Sequence, residues 1–315
     1  MAIPDFTGKQ VLVTGGAGFI GSHLVDALVS RGAKVSVLDN LSNGHEENLA
    51  AVRADIRFIC GDIRNPEDCA SAVDGSVFVF HLAAVGSVPR SMKDPVTTID
   101  VNVRGTAIVF NACREAKVKR VTYASSSSVY GDSTLLPKKE GQEGRPLSPY
   151  GLSKVENERL AELFSRLYGM EIVGLRYFNV YGPRQDPNGP YAAVVPRFIA
   201  ALRRGEAPII YGDGEQSRDF TAVDDVVRAN LLATGAPSSA AGRAFNVAAG
   251  GRTTVKKVAL ALARILETET APVHVDARPG DILHSQADPA LAREVLGWDA
   301  RVDLEAGLRK TIAET

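Results

Sequence analysis

Tyr150 and Lys154 stand four residues apart in SPYGLSK, at the start of an amphipathic stretch. On a helix this spacing puts both side chains on one face, where an ammonium favours tyrosinate over tyrosine. A phenol titrates near ~10 unaided, so a tyrosine acting as a base at neutral pH needs such a neighbour. The alternative is an exposed pair on a helix surface, and the rest of the chain must decide between them.

A second group of residues points to a dinucleotide. GGAGFIG (15–21) follows the apolar run QVLVT (10–14) and opens a helical pattern near Phe19, with Gly15, Gly18 and Gly21 at three-residue spacing. Gly15 permits the tight turn, Gly18 lets a pyrophosphate approach the backbone, and Gly21 lets the helix pack closely. The helix N-terminus adds N–H groups and a positive dipole. Asp39 ends the next β-branched run, 18 residues after Gly21, where a carboxylate can bond ribose hydroxyls and repel a 2′-phosphate. Asn40, Leu41, Ser42, Asn43 and Gly44 follow without an arginine, which favours NAD over NADP. Asp62 and Ile63, after the third run, are placed to bracket the adenine, although Asp62 also suits a turn.

The elements that must position these groups alternate. After QVLVT, strands are expected at KVSVL (34–38), IRFI (56–59), VFVFH (77–81), RVTYAS (120–125) and EIVGLR (171–176), with long helices near 102–116 and 151–168. This rhythm predicts an α/β fold, a Rossmann-type doubly wound parallel sheet with a smaller C-terminal substrate-binding lobe. The rhythm changes after Gly182 at PRQDPNGPY, and RAFNV (243–247) is expected to return a strand to the sheet. The dinucleotide domain is therefore drawn as 1–176 with a returning segment at about 219–250, and the second lobe as 177–218 and 251–315.

Composition narrows the partners. The 315 residues are 45% hydrophobic and 23% charged, enough for one large core or two domains sharing a cleft, and the formal net charge of -1 offers no general attraction for nucleic acid or anionic membrane. Cys60, Cys69 and Cys113 lack CxxC spacing and companion histidines, so neither a metal site nor a disulfide framework is expected. MAIPDFTGKQ lacks the pattern of a leader, and no apolar run reaches membrane-spanning length. A reduced, cytoplasmic protein is the expectation.

Taken together, GGAGFIG, DNLSNG, HLAA, ASSSSVYG, SPYGLSK and LRYFNVYGP resemble the extended short-chain dehydrogenase/reductase family, and most of all its nucleotide-sugar 4-epimerases. The likeness runs from Gln10 to about Gly297. It implies that Ser126 is the hydroxyl partner of a catalytic Tyr150, and that Lys154 holds the nicotinamide ribose and lowers the tyrosine pKa. It places Phe19, Ile20, Asn40, Ser42, Gly44, Leu82, Ala83, Ala84, Asn102, Ser125, Tyr177 and Val180 on NAD. Arg218 and Arg278 would hold a diphosphate, for which a guanidinium fork is suited, and Asp281 the ribose of a uridine. The family further implies a homodimer through an intersubunit four-helix bundle made by the helices near 102–116 and 151–168.

The residues after Ser126 choose the reaction. Dehydratases of this family carry Asp-Glu there and decarboxylases usually Ser-Glu, whereas this chain has Ser127 and Ser128. Elimination needs a general acid and base beside the sugar; 4-epimerisation through a 4-keto sugar needs only Tyr150, Ser126 and retained NAD. Gly86, Ser87, Ser127, Asn179, Ala193 and Ser285 would line the sugar. Ser285 is small at a position where a tyrosine confines the pocket to unmodified hexoses. The expectation is interconversion of UDP-N-acetylglucosamine and UDP-N-acetylgalactosamine. UDP-glucose/UDP-galactose is the nearest alternative, and UDP-glucuronate a third because Arg184 could meet a carboxylate. A non-enzymatic NAD-binding sensor or scaffold is the rival outside catalysis.

Overall fold

The computed structural model describes residues 2–188, 192–277 and 283–315. Six strands, β1 (Gln10–Thr14), β2 (Lys34–Asp39), β3 (Ile56–Cys60), β4 (Phe78–His81), β5 (Arg120–Ser126) and β6 (Ile172–Tyr177), are joined by the strand Ala244–Val247. They form one seven-stranded sheet in the order Ala244–Val247, β6, β5, β4, β1, β2, β3, with every neighbouring pair parallel. Covered on both faces, such strands read as unbroken apolar runs. All six residues of β6 are buried, the glycine and arginine included.

Among the described residues the helices are α1 (Phe19–Val29), α2 (Pro66–Val73), α3 (Val88–Lys93), α4 (Pro95–Ile99), α5 (Gly105–Glu115), α6 (Pro149–Tyr168), α7 (Val194–Arg203) and α8 (Val223–Ala233), with three more toward the C-terminus. On one face of the sheet Val109, Phe110, Cys113 and Ala161, from α5 and α6, pack on Val79, Val121 and Ile172. On the other, Leu24, Val25 and Leu28 of α1 and Leu231 of α8 cover Val11, Val13 and Val35. A π-turn at Asp100–Arg104 joins α4 to α5 where the sequence reads as a single helix, and it turns Asn102 inward.

α6 starts where its sequence dictates. Ser148 caps it by accepting the Gly151 N–H at 3.0 Å, Pro149 sits in the first turn, and Gly169 ends it in the left-handed region at φ 66°. Its buried face carries Ser153, Lys154 and Asn157, an unusual load of polarity, while Leu152, Leu163 and Leu167 remain exposed at 42%, 38% and 59%. Those three leucines therefore do not enter the subunit core.

The sheet winds outward in opposite directions from β1 and β4. Beyond their carboxyl ends lies the crevice where doubly wound folds bind ligands. Above it, small strand pairs (Val180–Tyr181 with Thr221–Ala222, Ser217–Arg218 with Thr253–Thr254, Ile209–Tyr211 with Val273–Val275) build a second lobe. Phe198, Ile210, Val258, Leu262 and Leu308 form its separate core. Among the described residues, no helix is long and apolar enough to cross a membrane.

Candidate active site

Gly15 leaves β1 at φ +71°, and a Cβ there would lie 2.6 Å from the Ala83 nitrogen at the end of β4. At Gly21 it would lie 2.1 Å from the Gly15 carbonyl oxygen. The glycines thus let the loop, α1 and the β4 end come together in the crevice. Beneath it His81 bridges the hydroxyls of Thr14 (2.7 Å) and Thr106 (2.9 Å), and burial pulls its pKa down to about 3, so it stays neutral.

A cleft of about 700 Å³ opens over this point, within the rough 300–1,000 Å³ of small-molecule sites. It is lined by Gly15, Gly18, Phe19, Ile20, Gly21, Asp39, Asn40, Ser42, Gly44, Asp62, Ile63, Leu82, Ala83, Ala84, Gly86, Ser87, Ser125, Tyr150, Lys154 and Tyr177. The Asp39 carboxylate accepts the N–H groups of Ala17 and Leu41, each at 2.9 Å, leaving further lone pairs for hydroxyls. A glycine-walled cradle beside a carboxylate fits the pyrophosphate and adenosine ribose of NAD.

A second cavity of about 240 Å³ lies in the smaller lobe, walled by Asn179, Val180, Tyr181, Gln185, Ala193, Phe198, Tyr211, Gln216, Arg218 and Phe220 among others. Ala192 lines both cavities, so they adjoin. Val194 and Val195, at the start of α7, also face the smaller one.

Tyr150 and Lys154 face the cleft from the first turns of α6. The Lys154 Nζ lies 5.8 Å from the centre of the Tyr150 ring and donates to the Ala124 carbonyl at 2.7 Å. Burial pulls the lysine down to about 8, opposed by Glu158 one helical turn on. Burial also raises the Tyr150 phenol, opposed by a hydrogen bond with Ser126. The opposition to burial comes from Ser126 and not from Lys154, whose ammonium is held on the Ala124 carbonyl. Ser126 accepts from the backbone N–H (3.1 Å) and hydroxyl (2.9 Å) of Ser128, which leaves its own proton to point elsewhere. Ser125 donates to Glu158 at 2.5 Å, and Glu158 is gripped by Arg176 at 2.8 and 2.7 Å.

Other placements depart from the sequence reading. Asn102 is wholly buried and off the cleft wall: it accepts the Val85 N–H at 2.8 Å and donates to Ser153 at 3.0 Å, tying the β4 loop to α6. The π-turn produces that inward aim. Val180 lines the smaller cavity rather than the cleft. Arg184 pairs with Asp26 of α1 at 2.7 Å through Nη2 and lines neither cavity. Asp62 lines the cleft, but the Arg64 guanidinium bonded to it holds its carboxyl well below the usual range.

Ser126, Ser127 and Ser285 are not among the lining residues of either cavity. Ser285 lies on an extended segment beside Ser217–Arg218, its N–H donating to the Ser217 carbonyl at 3.0 Å. Arg278 and Asp281 lie outside the described residues. Sequence reasoning missed Arg90, which reaches from α3 to donate to Asn43 at 2.5 Å across the cleft, and Arg64, Thr97 and Thr98 on its wall. Arg90 lies in the stretch GSVPRS (86–91), and nothing local to it shows the long-range partner.

Residues 11–248 match the model of the "NAD dependent epimerase/dehydratase family". The UDP-glucose 4-epimerase of Mycolicibacterium smegmatis is 40% identical over 307 residues, covering 96% of this chain and 97% of that one. Among solved structures, the UDP-N-acetylglucosamine 4-epimerase of Methanobrevibacter ruminantium, in complex with UDP-N-acetylmuramic acid, superposes with a TM-score of 0.93 at 41% identity, covering 98% of each chain. The UDP-glucose 4-epimerase of Thermotoga maritima with UDP-glucose gives 0.92 at 40%, covering 97% of this chain and 98% of that one.

Proposed function

The chain belongs to the NAD dependent epimerase/dehydratase family, and from that premise we propose that this UDP-sugar 4-epimerase interconverts UDP-N-acetylglucosamine and UDP-N-acetylgalactosamine. The observation that carries the choice of sugar is room. Gly86 lines the same cleft as Tyr150, and a Cβ built on it meets nothing within 4 Å. Ser87 beside it on the cleft wall is small, and so is Ser285, which lines neither cavity but is bonded to Ser217 next to Arg218 of the smaller one, in keeping with a site that admits a 2-acetamido group. Similarity does not choose, since relatives named for either sugar are 41% and 40% identical. Among the described residues Arg184 pairs with Asp26 and lines neither cavity, which lends a uronate no support through that residue.

In this reading the glycine loop and the α1 N-terminus hold the pyrophosphate of NAD, Asp39 its adenosine ribose, and the remaining N–H groups of Lys154 the other ribose. When bound, NAD supplies a hydride acceptor and donor regenerated in each turnover. Tyr150 would serve as phenolate, a form that the Ser126 hydrogen bond favours and a bound positive nicotinamide would favour further, taking the proton of the sugar 4-hydroxyl and later returning it. Ser126, its lone pairs engaged by Ser128, directs its own proton to the reacting oxygen and steadies its changing charge. Arg218 and the N–H groups opening α7 retain the diphosphate while the oxidised sugar presents its other face. No carboxylate follows Ser126, so the side chains for eliminating water are lacking there.

A homodimer is part of the proposal. Leu163, Leu167 and Tyr168 of α6 are exposed at 38%, 59% and 48%, and a groove of about 320 Å³ runs between α2 and α5. Apolar surface on adjacent helices suits a self-complementary interface.

The test is parallel rate measurement on the acetamido and unmodified UDP-hexose pairs, with wild type and Ser285→Tyr. The acetamido pair should show the higher kcat/KM, and the substitution should cut it by ~100-fold while the glucose pair changes only a few-fold. Higher wild-type kcat/KM on the glucose pair would reject the choice of sugar. An unchanged acetamido rate in the variant would reject Ser285 as its determinant.

A further inference from the structure

Asp219 is fully buried, and among the described residues its carboxylate is met by backbone N–H groups and forms no salt bridge with a lysine or arginine. Its carboxylate is used on backbone instead. Both oxygens accept the Gly250 N–H at 3.1 Å, and Oδ2 also accepts the Ala287 N–H at 3.0 Å. Its carbonyl accepts from the Asn179 side chain at 3.2 Å. Three segments distant in sequence therefore meet on one residue: the turn after β6, the loop after Ala244–Val247, and the extended segment carrying Ser285. Arg218, on the wall of the smaller cavity, is its neighbour in the chain.

The surrounding geometry needs such a hub. Asn179 sits at φ 34° and Gly250 at φ 80°, so neither segment is held by a regular ladder there. Burial pushes the Asp219 carboxyl up to about 6, with backbone N–H groups opposing, so the fold accepts a costly buried acid to make these bonds. An asparagine is the same size but would turn an NH₂ donor toward N–H donors.

We propose that Asp219 is a positioning residue for the nucleotide sugar, setting the segments that carry Asn179 and Ser285 against Arg218 through the N–H groups of Gly250 and Ala287 and its own carbonyl. This rests on reading the smaller cavity as the UDP-sugar site. It assigns Asp219 to substrate affinity, separate from Tyr150 chemistry and from NAD retention.

The experiment compares NAD-loaded wild type with Asp219→Asn, measuring UDP binding by calorimetry, KM and kcat on the preferred UDP-sugar, and NAD content. Asp219→Asn should raise the UDP Kd and the KM by ~10-fold or more, with kcat within ~3-fold and NAD unchanged. Equal UDP binding by the two proteins overturns the inference, as does a fall in kcat with KM unchanged. If Asp219→Asn fails to fold, Gln286→Ala removes a milder tie between the same segments, the bond from Nε2 to the Gly250 carbonyl at 3.0 Å. It should raise KM alone by ~2- to 5-fold, and an unchanged KM overturns the inference. Wild type that binds no UDP overturns the reading of the site as well, which separates the two failures.

Discussion

Gly21→Ala loads the glycine loop at its tightest point. The new methyl would sit 2.1 Å from the Gly15 carbonyl oxygen, 2.8 Å from the Gly16 Cα and 2.9 Å from the Gly15 carbonyl carbon. These are backbone atoms that cannot rotate aside, and ordinary contact needs well over ~3 Å, so the loop or the first turn of α1 must retreat by about 1 Å. The Gly15 carbonyl also accepts the Gly18 N–H at 3.2 Å, so the strain falls on the turn that shapes the cradle. Overpacking of this kind costs about 1–3 kcal/mol, and a 1 Å misplacement can cost ~100-fold in function. The assay is NAD released per chain on denaturation, with a thermal melt alongside. Gly21→Ala should retain less than ~10% of the wild-type NAD and melt a few degrees lower. Gly86→Ala is the control, because its methyl enters open space in the same cleft and should leave NAD content and melting unchanged. Full NAD and an unaltered melt for Gly21→Ala would falsify the steric argument.

Tyr150→Phe should lower epimerisation by ~100- to 10,000-fold with NAD still bound, and near-normal turnover would remove Tyr150 as the base. Burial sets the Lys154 pKa at about 8, below the ordinary 10.5, so kcat/KM should fall as pH rises through about 8 and the ammonium is lost. A profile flat to pH ~9.5 contradicts that role. The same depressed pKa has the opposite sign for the fold: the unfolded chain holds the proton more tightly between pH 8 and 10.5, so this residue's contribution to stability rises across that window. The slope should shrink in Lys154→Met on pH-dependent denaturant melts. Leu163→Glu with Leu167→Glu should halve the mass seen by light scattering; a wild type that is already monomeric refutes the proposed dimer.

Much of the sheet was legible because strands buried on both faces read as continuous apolar runs. The run read as 77–81 forms at Phe78–His81, and that read as 171–176 at Ile172–Tyr177. Contiguous motifs behaved alike: GGAGFIG and HLAA converge because each directly follows a central strand. Residues whose surroundings are set by distant partners were not legible. Nothing near Arg184 names Asp26, 158 positions away, as its partner. Nothing near Asn102 announces a π-turn, and its inward aim follows from one extra residue in a helical turn. Asp219 directly follows Arg218 in the sequence, but only the meeting of Gly250 and Ala287 shows what its carboxylate does.

The strand Ala244–Val247 pairs with β6 in register from Ala244 opposite Gly174 to Val247 opposite Tyr177. Between these partners in the chain lies most of the material that builds the smaller cavity. A ribosome that has released β6 must therefore deliver some seventy further residues before that edge is covered, leaving bare backbone donors and acceptors during synthesis. Fragments ending before Ala244 should carry a sticky border and precipitate. The lobes cannot be split into independently expressed halves by a single cut, because the polypeptide weaves out of one and back into it before either is finished.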